Sequence, residues 1–261
     1  MSSGPGREVA RRGLAGANRY GLGWAVVGLA VGYGLAGIAD PLYAAASGHA
    51  HVAGSLGDEL ARLVGLWIGL FGAAVAAAWS QPRQARFHLR SALPREYGFS
   101  IRLWPDVPVG LACGVAAQYL LAPLLELPLV PFVPHLSHRI SAPAHALVAH
   151  VNGPGLVVLG VFLCVLAPLV EELFFRGLLL RSLLGICAAD LGLGRAAVPV
   201  AVVVDGLVFG LAHFEGLQFT ALAGFGVLVG AIVTRTGRLG TGICAHAAFN
   251  AAAFVSIAAL H

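Results

Sequence analysis

Two adjacent glutamates and an arginine interrupt a long apolar run. Glu171, Glu172 and Arg176 lie within about Leu156 to Leu184. Ionisable side chains at a membrane helix centre cost about 2.5–3.5 kcal/mol each, so they face the bundle interior and usually mark function. On a helix, Glu172 and Arg176 share a face and can pair. Glu171 lies about 100° away around the helix and lacks that partner, so it is a candidate base for proton transfer.

Two later apolar segments carry polar side chains at helical spacing. Asp205, Phe209 and His213 follow one another at intervals of four residues, as do His246 and Asn250. Each set therefore lies on one helix face. A carboxylate base, two imidazoles and an amide donor in a water-poor cavity suit hydrolysis of a carbonyl compound. Asp205 has three open roles, which are orienting a site histidine, pairing with Arg176 and facing a water-filled cavity.

Composition predicts the protein class. The 261 residues are 58% hydrophobic and only 11% charged, with a mean hydropathy of +0.84, whereas soluble domains carry about 25% charged residues. We therefore predict an all-α, polytopic transmembrane helical bundle in contact with the lipid bilayer. All sixteen basic residues are arginines, and they form no basic stripe with interleaved aromatics, which excludes a nucleic-acid partner. The four isolated cysteines form no CxxC motif.

About seven spans are predicted, within a range of six to eight. Residues 1–20 form a tail, 21–153 an N-terminal transmembrane region with loops, and 154–261 the catalytic transmembrane domain. Segments 40–59 and 126–153 are predicted outer loops, and 80–106 is an arginine-rich inner loop that includes a possible interfacial helix. The spans begin and end at about 21–39, 60–79, 107–125, 156–184, 196–213, 217–233 and 239–260.

Arginine positions predict orientation. Most arginines lie in the N-terminal tail or in alternate loops, so the positive-inside rule places the N-terminus in the cytoplasm. The protein is then an integral multi-pass protein of the cytoplasmic membrane. On this arrangement Glu171 lies about 20 Å from the cytoplasmic end of its helix and His246 only about 10 Å. The two residues meet only if a helix tilts, starts late or crosses a thinned bilayer.

Three ordered motifs carry a family resemblance. Glu171-Glu172-x-x-x-Arg176, Phe209-x-x-x-His213 and His246-x-x-x-Asn250 lie on successive apolar segments. Together they resemble the motifs of the CAAX protease and bacteriocin-processing (CPBP) family, which includes the type II CAAX prenyl endopeptidases. The similarity covers about residues 155–255. Family members are described with eight spans, one more than predicted here.

The resemblance implies an intramembrane endopeptidase. Glu171 would activate water, His213 would hold and polarise that water, and His246 and Asn250 would stabilise the oxyanion. Glu172 and Arg176 would support Glu171 and its helix, with Phe209 and Asp205 beside the reacting groups. The substrate would be a membrane-associated peptide or protein, such as a prenylated tail, a leader peptide or a C-terminal anchor.

Metal dependence and two other functions stay open. Glu171, His213 and His246 could ligate Zn²⁺ with water in the fourth position, but no HExxH motif is present, and the preferred interpretation requires no cofactor. One alternative is a non-catalytic family member that acts as an immunity or scaffold protein. Another is a proton-coupled transporter, because buried acids and histidines also form proton relays; the sequence shows no inverted repeat. It does not indicate the oligomeric state.

Overall fold

Eight helices longer than ten residues build the structure. The computed structural model describes residues 21–48, 55–80, 93–94, 96–149, 151 and 153–259, and these ranges contain no strand. Seven of the helices are long and apolar enough to cross a membrane. The predicted all-α polytopic class is therefore confirmed. In chain order the helices are α1 Gly21–Ser47, α2 Leu56–Trp79, α3 Asp106–Leu129, α4 Leu136–Val148, α5 Pro154–Asp190, α6 Ala197–Ala212, α7 Phe219–Thr236 and α8 Gly240–Ala258.

Several predicted features lie outside the described residues. They are the cytoplasmic tail 1–20 and most of the arginine-rich loop, residues 81–92 and 95, with its possible interfacial helix.

The predicted outer loop 126–153 is largely helical, so the loop prediction is wrong there. Helix α4 occupies Leu136–Val148. Its apolar residues Leu136, Ile140 and Ala144 recur at intervals of four, as one face of a helix requires. The histidines and Pro143 of this segment hide that periodicity, because proline inside a helix removes a hydrogen bond and usually indicates a break.

Helix α5 is longer and less regular than predicted. It runs for 37 residues, whereas about 20 residues cross the apolar core of a bilayer. Three stretches are π-helical, at Phe162–Leu166, Leu173–Leu179 and Ile186–Asp190. Such wide turns are rare and frequently occur at functional sites. Glu171 and Glu172 lie between the first two of them.

Glycines let neighbouring helices approach closely. A Cβ atom on Gly69 of α2 would lie 2.2 Å from the backbone nitrogen of Gly32 on α1, and one on Gly206 of α6 would lie 2.7 Å from the nitrogen of Val227 on α7. These contacts need the absence of a side chain, as in other membrane helix pairs. They fix the α1–α2 and α6–α7 pairs around the central helix α5.

Substitution of Gly69 by alanine tests the α1–α2 contact. We expect Gly69→Ala to lower the free energy of unfolding in detergent by about 1–3 kcal/mol, because overpacking forces backbone shifts of that cost. Gly72 lies three residues later on the same helix with nothing within 4 Å of its added Cβ. Gly72→Ala is therefore the matched control and should be neutral or slightly stabilising. Equal stability of the two variants would contradict the close contact.

A candidate active site between helices α5, α6 and α8

A buried ion pair lies at the base of the site. Nη1 of Arg176 donates to Oε1 of Glu172 at 2.8 Å, and both side chains are fully buried. Nη2 of Arg176 donates to the carbonyl oxygen of Gly226 on α7 at 3.2 Å. The structure therefore contains the ion pair that the helical spacing predicts. It also uses the guanidinium to tie α5 to α7.

Asp205 faces Arg176, one of the three roles left open by the sequence. Its Oδ2 atom lies 3.5 Å from Nε of Arg176, and the side chain is fully buried. Neither carboxylate oxygen has a hydrogen-bond partner among the described residues. The contact is therefore a charge pair without a hydrogen bond. Two carboxylates, Glu172 and Asp205, share the single guanidinium.

Glu172 also fixes His246. Nδ1 of His246 lies 3.0 Å from Oε1 of Glu172. Because Oε1 also accepts from Arg176, it is a carboxylate acceptor and Nδ1 carries the donated hydrogen. The other ring nitrogen, Nε2, then points toward Oε2 of Glu171 at 3.8 Å.

His213 is fixed in the same way by a different acceptor. Nδ1 of His213 lies 2.7 Å from the carbonyl oxygen of Phe209, one helical turn earlier. A carbonyl oxygen only accepts, so Nδ1 carries the hydrogen and donates it. In the neutral ring, Nε2 then carries the lone pair and can accept a hydrogen bond. Nε2 of His213 also lies 3.8 Å from Oε2 of Glu171. Both histidines therefore present the same nitrogen to one carboxylate oxygen.

Glu171 is the carboxylate on which the site converges. Its Oε2 atom is buried and has no hydrogen-bond partner among the described residues, while the side chain is 13% exposed. Two atoms 3.8 Å apart are too distant for a direct hydrogen bond, but one water molecule can hydrogen-bond to both of them. Buried polar atoms without protein partners are commonly satisfied by such a water. The geometry therefore suits a water held between Glu171 and the two histidines.

The same three residues would be the ligands of a zinc ion in the metal-dependent alternative. Among the described residues, no group of three His, Cys, Asp or Glu side chains is arranged to hold a metal ion. Tetrahedral donors about 2.0–2.2 Å from zinc lie about 3.3–3.6 Å from one another, and Oε2 of Glu171 lies 3.8 Å from Nε2 of each histidine.

Phe209 is the aromatic centre of the site. Its ring is fully buried and lies 4.6 Å from the ring of His213 and 5.5 Å from that of His246, measured between centroids. The guanidinium carbon of Arg176 is 4.4 Å from the same centroid. A cation over an aromatic face is stabilised by the ring quadrupole. One side chain therefore positions both imidazoles and helps to compensate the buried arginine.

Asn250 bonds to α5 rather than to Glu171. Its Nδ2 atom donates to the carbonyl oxygen of Leu163 at 2.9 Å. In this π-helical stretch the N–H of Ala167 bonds five residues back, to Phe162. The next residue, Pro168, has no N–H to offer Leu163. The Asn250 amide therefore takes the place of the missing backbone donor, and one of its two N–H hydrogens stays available.

The turn that carries His213 rests on α1, a contact that the sequence analysis did not predict. The hydroxyl of Tyr33 donates to the carbonyl of Ala212, and the Tyr33 ring packs edge-on against Phe214 at 5.1 Å between centroids. Phe214 has φ of +55°. A bulky residue in this left-handed region costs about 1–2 kcal/mol, and such strain clusters at functional sites.

His246 lies at the same depth in the helical bundle as Glu171. Nη2 of Arg181 donates to the carbonyl oxygen of Gly237, so these two residues lie at one level. Glu171 lies ten residues before Arg181, or about 15 Å, and His246 lies nine residues after Gly237, or about 14 Å. The predicted mismatch arose because the ends of the two helices were assumed to lie at one depth, whereas α5 continues nine residues past Arg181, to Asp190.

A cavity of about 790 Å³ surrounds the site. Glu171, His213, His246 and Asn250 line it, and it extends to the ends of α2 and α3. Its volume falls in the range of about 300–1,000 Å³ typical of ligand sites. All four residues predicted as catalytic therefore border one space.

The fold and site define a polytopic helical membrane protein with a glutamate and two histidines at the base of a cavity between its helices. Residues 153–252 match the family described as type II CAAX prenyl endopeptidase Rce1-like. The resemblance given by the three motifs is thereby confirmed, and it suggests protease activity within a membrane. Comparisons with curated proteins and with solved structures gave no significant match.

A double-mutant cycle tests the role of Asn250 toward Pro168. We expect Asn250→Ala to lower the free energy of unfolding in detergent by about 1–3 kcal/mol, because it leaves the part-buried Leu163 carbonyl without its donor. In a Pro168→Ala background the new backbone N–H can bond to Leu163, so the same substitution should cost less. An equal cost in both backgrounds would show that the amide and the proline are independent.

Proposed function

We propose that the protein is an intramembrane endopeptidase in which Glu171 activates the attacking water. The observation that carries this proposal is the convergence of two imidazole nitrogens on the unpartnered Oε2 atom of Glu171. Glu172 and Phe209 fix the two rings through their Nδ1 atoms. A base held in this way is poised to take a proton from one water molecule.

The hydrolytic step follows from these positions. Oε2 of Glu171 takes one proton of the water, whose oxygen bonds to the scissile carbonyl carbon, while Nε2 of His213 accepts the other hydrogen bond. The carbonyl π bond opens to an oxyanion, and the free N–H of Asn250 and a protonated Nε2 of His246 donate to it. Glu171 then passes its proton to the leaving amine as the C–N bond breaks. Preorganised donors to an oxyanion contribute about 2.7–4 kcal/mol each.

His246 is suited to the second donor role by its position. Its ring lies between Glu171 and Glu172. With Nδ1 donating to Glu172, the ring also donates from Nε2 when both ring nitrogens carry a hydrogen.

The substrate proposed is a membrane-associated peptide segment. The cavity lies among transmembrane helices, and most of its wall is apolar outside the polar groups of the site. An extended peptide that enters such a cavity is removed from bulk water as it binds. This desolvation strengthens the electrostatic contacts within the site.

Substitution of the base tests the proposal. We expect Glu171→Gln to lower hydrolysis of a fluorogenic peptide by about 10²–10⁴-fold, because the amide cannot accept the proton. His213→Ala should fall in the same range. A prenylated peptide and a panel of transmembrane peptides are the substrates for the purified protein. Glu96→Gln is the control, since Glu96 lies away from the cavity.

Two results would contradict parts of this proposal. Equal turnover by wild type and Glu171→Gln would exclude Glu171 as the base. Loss of wild-type activity with a chelator, restored by zinc, would exclude the metal-free mechanism but not the site.

A further inference from the structure

Within the part of the chain that the structure describes, the cavity of the candidate site extends toward one end of the bundle only. Its charged lining residues outside the site are Glu59 and Arg62 at the first turns of α2, Glu126 in the last turns of α3, and Glu215 in the turn after α6. In the other direction from Glu171, residues 172–180 of α5 are all buried. This packed segment closes the cavity on that side.

Contacts define the closed end independently. Asp106, at the start of α3, accepts hydrogen bonds from the backbone of Arg102, from the side chain of Arg238 and from Thr241. Arg181 donates to the carbonyl oxygens of Tyr97 and Gly237. The starts of α3 and α8 therefore meet α5 at this end.

The helices α1 and α2 are antiparallel, with the start of α1 and the end of α2 at this closed end. A Cβ atom on Gly21, at the start of α1, would touch the side chain of Ser182 beside Arg181. The Tyr97 hydroxyl donates to Ala74, near the end of α2. The segments 1–20 and 81–102 therefore connect to the closed end of the bundle.

The chain segments joined to this closed end are rich in arginine. Thirteen of the sixteen arginines lie in the segments 1–20, 81–102, 181–195 and 235–238, each of which is continuous in the sequence with a helix that reaches this end. The remaining three are Arg62, Arg139 and Arg176. Arg176 is the buried partner of Glu172, and Arg62 pairs with Asp40 and Glu59. The open end therefore carries almost no uncompensated arginine.

We infer that the cavity opens on the extracytoplasmic side, and that its substrate is a peptide segment presented from the outer half of the bilayer. Arginines flanking membrane helices stay on the cytoplasmic side, so the arginine-rich closed end faces the cytoplasm and the open end faces outward. A peptide whose lipid anchor and scissile bond lie in the cytoplasmic leaflet would meet the packed residues 172–180 instead of the cavity. The substrate side of this inference rests on the proposed function, whereas the orientation does not.

Cysteine labelling in intact cells tests the orientation without any activity. The four native cysteines, Cys113, Cys164, Cys187 and Cys244, are free and are replaced by alanine. Glu126→Cys then reports on the open end, and Arg195→Cys, at an exposed position, reports on the closed end. We expect a membrane-impermeant maleimide to label Glu126→Cys in intact cells and Arg195→Cys only after permeabilisation.

The opposite pattern, or labelling of both variants in intact cells, would overturn the orientation. Absence of labelling at Glu126→Cys even in permeabilised cells would overturn the open cavity. Stability in detergent is measured for each variant, so that a misfolded protein is recognised by its unfolding curve and replaced by a second reporter pair, Gln218→Cys against Arg235→Cys.

A blocking experiment then tests the route of the substrate. With purified Glu126→Cys protein, coupling of a bulky maleimide should abolish hydrolysis of a transmembrane peptide relative to the same variant before coupling. Coupling at Arg195→Cys should leave turnover unchanged. Unchanged turnover at both positions would overturn the substrate route. If Glu171→Gln were as active as wild type, the proposed function would fail while the labelling result for orientation would stand.

Discussion

The arrangement depends on one oxygen atom, Oε1 of Glu172, which accepts from both Arg176 and His246. Both partners are buried, and removing one member of a buried ionic group leaves a charge uncompensated at a cost of about 3–5 kcal/mol. The helices α5 and α8 are thereby held in one register. In that register Nε2 of His246 faces Glu171. The two adjacent glutamates therefore have different roles. Glu172 fixes the geometry, and Glu171 faces the cavity.

The aromatic and backbone contacts around this pair complete the register. Phe209 contacts both imidazoles and the guanidinium, and its carbonyl fixes His213. The π-helical turns of α5 leave some backbone groups without their regular helical partners. Asn250 donates to one of them, the carbonyl of Leu163, because Pro168 has no N–H to offer it. Rigid packing below the site and irregular backbone beside it therefore occur in the same helix. This combination positions a polar centre directly beside a fully packed segment, residues 172–180.

Sequence periodicity predicted the class, the seven spans and the Glu172–Arg176 pair, because these depend on local spacing alone. It did not predict that Arg176 binds the Gly226 carbonyl, or that Tyr33 supports the His213 turn, since both contacts join helices far apart in the chain. The role of Asn250 toward Leu163 was also missed, although Pro168 within an apolar helix was a visible signal of an unpaired carbonyl. Helix α4 was hidden by its proline and histidines.

The buried residues 172–180 of α5 also affect how well the protein blocks the passage of ions across the membrane. A water-accessible pocket that reaches the middle of a membrane shortens the path across which the transmembrane voltage falls, and a field of 100 mV is worth about 2.3 kcal/mol per elementary charge. Leu173, Phe174 and Leu178 lie in that remaining path and are almost fully buried. They close that path to water and ions, so a cavity that admits water from one side does not carry protons across the membrane.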